Sequence, residues 1–142
     1  MTQKKLILFM PSIEVGGVEK NFFIISNFLA KNYDKTFLIT AEKNISKKLK
    51  NIKILYPKSD FWRKKGRLRK YIICIFLLIK ILSKEKNSLV FSFQANLYAI
   101  LICKLFRKKI ISRSNSSPSG WSNSLIKKFI YKIGLNLADK LI

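Results

Sequence analysis

Three groups of residues in this sequence have the types and spacing of ligand-contacting loops. The first is Pro11-Ser12-Ile13-Glu14-Val15-Gly16-Gly17-Val18-Glu19-Lys20, where paired glycines stand between an apolar run and a helix-like pattern. Glycines there let the backbone approach a ligand closely, and a helix start offers unpaired N–H groups and a positive dipole end to an anion. Glu19 falls in the first helical turn, where its charge suits the dipole. The same glycines also serve a tight turn that holds nothing, because Gly is the default wherever φ must be positive. The turn lacks the Gly-Lys-Ser/Thr of a P-loop and the G-x-G-x-x-G of a dinucleotide site. The second group is Gln94 and Asn96, just past the apolar run Leu89 to Phe93. Such residues either face a cleft or satisfy the backbone groups that strand ends leave open. The third is Arg113 and Asn115, past Lys109 to Ser112. An arginine at that place suits a phosphate or pyrophosphate by bidentate contact, or staples a loop with the same donors.

Other chemistry is excluded by composition. The chain has no histidine, so it supplies no imidazole for catalysis or metal ligation, and neither a metal nor a cofactor is expected. Cys74 and Cys103 both lie in apolar helical stretches, where a thiol behaves as a small buried hydrophobe; the expectation is a reducing compartment without a disulfide.

Those loops need a scaffold. At 142 residues, 49% of them hydrophobic, the chain is one domain with a real core. Leu6 to Met10, Thr36 to Thr40, Ile52 to Tyr56, Leu89 to Phe93 and Lys109 to Ser112 are short, apolar and bounded by polar residues, as buried parallel strands are. Between them Val18, Phe22, Ile25 and Leu29 recur at helical spacing, as do Leu125, Phe129 and Ile133, each row with lysines on another side. Alternation of this kind predicts an α/β, Rossmann-like doubly wound parallel sheet in the order 3-2-1-4-5, strand one central, with the three loop groups on one edge.

At these residues the sequence resembles a family. A strand followed by Gly16-Gly17-Val18-Glu19-Lys20 is similar to the opening of the acceptor domain of family-4 retaining glycosyltransferases. Val90-Phe91-Ser92-Phe93-Gln94-Ala95-Asn96 with Ala99 and Lys104 resembles that domain's fourth strand and following helix. Ile110-Ile111-Ser112-Arg113-Ser114-Asn115, then Trp121, then Ala138-Asp139-Lys140-Leu141-Ile142 is similar to its ending. The three blocks span nearly the whole chain. The resemblance implies one half of a GT-B architecture, two facing Rossmann-like domains with the acceptor bound mainly by the first and the nucleotide-sugar donor mainly by the second. It implies that Gly16, Gly17, Glu19, Gln94, Asn96, Arg113 and Asn115 border the cleft, with no catalytic residue in residues 1–142. Partners would be a nucleotide-sugar and a glycan or lipid-linked sugar acceptor. Relatives carry a His near strand four where this chain has Gln94, so imidazole contacts do not transfer. The family continues past a sixth strand, reached here at Ile142, through a linker into the donor domain; without that domain the expectation is no activity.

Charge adds a further expectation. Lys and Arg number 29 against 7 Asp and Glu, a net charge of +22, with residues 1–60 holding 11 basic and 5 acidic side chains and residues 61–142 holding 18 and 2. Such a field favours anionic partners, although 24 of the 29 are Lys, as codon bias also produces. Arg63, Lys64, Lys65, Arg67, Arg69 and Lys70 precede the apolar stretch Tyr71 to Leu82, which is shorter than the roughly 20 residues of a membrane span and is read as a sheet-covering helix. Its basic start would touch anionic headgroups, placing a cytoplasmic protein on the inner face of the plasma membrane. The alternative is a non-enzymatic basic module that binds nucleic acid or an acidic membrane surface. No helix-turn-helix, zinc or RNP-type pattern supports the nucleic-acid version.

Overall fold

The computed structural model describes residues 4–13, 17–43, 45, 48–64, 66–94, 96–113 and 125–142. Gly16, Lys65, Asn115 and Trp121 lie outside the described residues, as do the side chains of Arg63 and Lys64. The elements run β1 (Lys5–Phe9), α1 (Gly17–Ala30), β2 (Lys35–Ile39), β3 (Ile52–Leu55), α2 (Phe61–Lys64), α3 (Arg67–Lys84), β4 (Ser88–Ser92), α4 (Asn96–Leu105), β5 (Lys109–Ser112), α5 (Leu125–Asn136) and β6 (Lys140–Leu141). All five pairings are parallel, in the order β3-β2-β1-β4-β5-β6. The predicted order and the Rossmann-like doubly wound fold are therefore what the chain adopts.

Period-two alternation divides the core between the two faces of the sheet. Leu6, Leu8 and Met10 pack with Phe22, Leu38 and Phe91 under α1, while Ile7 and Phe9 pack with Ile39, Val90, Cys74, Leu78, Ala99 and Leu135 under α3, α4 and α5. Leu6 to Phe9 are 0% exposed, which only a strand covered on both sides can be. Burial pushes both thiols up to about 12, so Cys74 and Cys103 are protonated filler.

The helix α5 departs from its expected orientation. Phe129 and Ile133, read as part of its apolar face, are 65% and 49% exposed. The face that packs carries Gly134 and Leu135, because α5 approaches α4 where a Cβ on Gly134 would run into Leu97 Cδ1. Close approach through a glycine outweighed the longer apolar row. A β-branched side chain there must push the Leu97 side chain aside, so Gly134→Val is expected to destabilise by about 1 kcal/mol, an overpacking cost, read as a shift in the urea midpoint. Gly17, beside which a Cβ meets nothing within 4 Å, should accept Ala with little change.

A carboxylate fixes the last crossover. Asp139 Oδ2 accepts from the Ile110 N–H at 2.7 Å and from Lys104 Nζ at 2.9 Å, tying the turn before β6 to β5 and α4. The Ile110 bond first, then Lys104, hold its carboxyl below the usual range. A depressed folded-state value means stability present above the unfolded value of about 3.9 and lost as pH falls through the folded one. The group is partly exposed, so about 1 kcal/mol is expected. Asp139→Asn should lower stability by that amount at pH 7 and remove this part of the loss below pH 4, as denaturation at several pH values would report.

Candidate functional site at the carboxyl edge

In a parallel sheet every strand releases its loop on the same edge, which gathers residues distant in sequence. Gly17 follows β1, Gln94 and Asn96 follow β4, and Arg113 follows β5. These are adjacent strands, so the outer two loops stand about two strand spacings, roughly 10 Å, apart. The ladder continues past the strands to hold them: Phe93 N–H donates to the Phe9 carbonyl and Arg113 N–H to the Ser92 carbonyl, each at 2.9 Å. Phe22 on α1 meets Phe93 edge-to-face with ring centres 5.0 Å apart, which sets the start of α1 against the loop after β4.

Side chains complete a lateral chain of bonds. Gln94 Oε1 accepts from the Ser12 N–H at 3.1 Å, which ties the loop after β4 to the chain leaving β1. The Ser92 hydroxyl lies 2.9 Å from the Gln94 carbonyl and 2.8 Å from Asn96 Oδ1, one proton between two acceptors. Asn96 Nδ2 donates to the Arg113 carbonyl at 2.7 Å. Of the two uses open to Gln94 and Asn96, the structure displays backbone satisfaction, and in doing so they fix the edge on which a ligand would rest.

Arg113 behaves differently. Its Nη1 is buried and finds no acceptor among the described residues. A buried, unpaired guanidinium donor costs on the order of 1–3 kcal/mol or more, which loop stapling would have avoided. Gly17 needs neither positive φ nor close packing, since the space beside it is open. Glu19 pairs with Lys48 across 3.5 Å, its side chain 15% exposed, so its charge is turned toward the chain after β2. Among the described residues the edge thus offers a helix start, an open glycine and an unsatisfied cation, the means of holding an anion. Among the described residues no group of three or more His, Cys, Asp or Glu gathers.

Two features escaped sequence reasoning. A groove of about 570 Å³ opens where the edge strand β3 meets α2 and α3, lined by Leu55, Tyr56, Pro57, Trp62, Ile73 and Leu77 with Lys58 and Lys80. Its signal in the sequence is the aromatic pair Phe61-Trp62, which no periodicity marks. At the opposite, amino edge of the sheet Lys4, Lys5, Lys86, Arg107, Lys108 and Lys109 line a depression of about 510 Å³. Only the fold shows these cations to be neighbours.

No protein-family model matches the sequence, and no curated protein does. Solved structures do match in fold. The chain superposes on Anabaena Alr3699/HepE in complex with UDP and glucose with a TM-score of 0.61 at 12% identity, covering 99% of this chain and 37% of that one. The complex of the same protein with UDP gives 0.59 at 12% identity, over 97% and 36%. The chain therefore spans little more than a third of the structures it resembles.

Proposed function

We propose that this chain is the acceptor-side half of a retaining glycosyltransferase, building a cell-surface or lipid-linked glycan from a nucleotide-sugar, and inactive without a donor-binding domain. The observation that supports the reading is Arg113 Nη1, a buried cation donor unpaired among the described residues, on the edge where open parallel sheets take ligands. The glycine turn and α1 start on the same edge suit a sugar phosphate. A sheet of the same fold whose whole chain holds UDP and glucose agrees with it. Transfer between two domains requires both to close around the donor and exclude water, so one domain lacks half of the site. Sequencing the DNA beyond codon 142 tests this. A second Rossmann-like domain with paired glutamates, in the same or a shifted frame, is the expected result, and unrelated sequence there would count against it.

The reading places the protein on the inner face of a membrane. Residues 61–84 contain no acidic side chain. Arg67 and Arg69 stand in the first turn of α3, the end where the helix dipole disfavours cations. Phe61, whose ring lies 4.6 Å from the Arg69 guanidinium, and Leu68 between the two arginines are 58% and 67% exposed. Cations ringing exposed apolar side chains are the composition of an interfacial surface.

A further inference from the structure

We infer that the groove between β3, α2 and α3 holds the hydrocarbon chain of an anionic amphiphile, a lipid phosphate, beside the carboxyl edge. The inference rests on the proposed acceptor role and names the acceptor's chemical class. Three observations combine. The walls are apolar and aromatic, with Trp62 half-buried against Leu55, Pro57, Ile73 and Leu77, and the volume of about 570 Å³ is that of a small-molecule site. Among the described residues the charged groups lining it, Lys58 and Lys80, are both cations, and no carboxylate lines it. On α3, Ile73, Leu77 and Lys80 stand in the groove at helical spacing, and the exposed Ile72 and Phe76 come one position earlier, on the adjoining face. The groove is thus the inward side of the surface proposed to meet the bilayer, and a chain leaving the bilayer enters it without crossing water.

Position completes the case. Tyr56 and Pro57 follow β3, so the groove opens on the same edge as Gly17 and Arg113, with β2 between it and β1. Two strand spacings, roughly 10 Å, separate the end of β3 from the glycine turn. A phosphate held by Lys58, which follows β3 on this edge, keeps the rest of the headgroup within reach of that turn, while Lys80, further along α3, adds to the positive field of the groove. A neutral lipid leaves both cations unanswered, and a soluble sugar phosphate leaves the apolar wall wet.

The probe is decyl phosphate below its micellar concentration, followed by Trp62 fluorescence in a Trp121→Phe background, with no donor present. Saturable binding with a blue shift is expected, strengthening about fourfold per added methylene from octyl to dodecyl phosphate. Lys58→Ala with Lys80→Ala should weaken decyl phosphate at least tenfold and leave decanol unchanged. Ile73→Phe with Leu77→Phe, folded by circular dichroism, should weaken both. Equal binding of decanol and decyl phosphate, no dependence on chain length, or an equal loss on Lys20→Ala with Lys43→Ala would overturn the assignment. Because no sugar transfer is measured, a failure here leaves the glycosyltransferase proposal standing, and a missing donor domain leaves this one standing.

Discussion

Replacing Arg113 with Met is expected to weaken pyrophosphate binding at the carboxyl edge by about 100-fold while stability stays level or rises. The two halves of that result have one cause. A guanidinium with a buried, unpaired Nη1 is a liability in the folded chain. It becomes an asset only when an anion accepts from it, and charge-assisted bonds to phosphate are among the strong ones. Two lost bonds of roughly 1.5 kcal/mol each give the expected factor. Asn96 donates to the backbone carbonyl of residue 113, so the loop keeps that anchor in the variant. Titration calorimetry and a urea midpoint on the same sample decide between anion contact and loop stapling. A destabilised Arg113→Met with unchanged binding would return Arg113 to a loop staple.

Neutralising Arg63, Lys64, Lys65, Arg67 and Arg69 should abolish sedimentation with acidic vesicles. Each cation near an anionic leaflet contributes about 1 kcal/mol, so five give a factor of roughly a thousand or more at low salt. The sixth member of the predicted cluster is expected to matter less, because Lys70 Nζ is tied to Glu42 Oε1 at 2.5 Å, joining the start of α3 to the turn after β2. Lys70→Gln should instead cost about 1 kcal/mol of stability and spare vesicle binding. The ring of Phe61 holds Arg69 at 4.6 Å, a contact that keeps one cation beside the exposed apolar row. The attraction should fade as salt rises, since screening acts over about 8 Å at physiological ionic strength. Unchanged binding in the fivefold variant would make the cluster a solvated face.

Much of the scaffold was legible because strand burial leaves a strong trace. Leu6 to Phe9, covered on both faces, read as a continuous apolar run; three of the five strand readings start one residue late, the one from Ile52 starts in place and ends one residue late, and Lys109–Ser112 coincides. Side-chain pairing leaves no such trace. Glu19 was read by its place at a helix start and a cleft; its ion pair with Lys48, 29 positions away, left no mark in the sequence. Gln94 and Asn96 follow β4 at the carboxyl edge, and their bonds to Ser12 and Arg113 depend on loop geometry that spacing does not encode. In α5 the row Leu125, Phe129 and Ile133 promised a buried stripe, and a single glycine against Leu97 turned the helix instead. The β3 groove was invisible because its lining comes from three elements, with no period of its own.

The measurement that bears most directly on a half-cleft for sugar transfer is amide chemical-shift mapping with UDP-glucose on the labelled chain. Shifts should cluster at the carboxyl edge, on Ser12, Gly17, Gln94, Asn96 and Arg113, and vanish in Arg113→Met. Shifts centred on Lys86, Arg107 and Lys109 at the amino edge, or spread over the lysines without a focus, would contradict it and favour a basic module that binds anions without a sugar-transfer role.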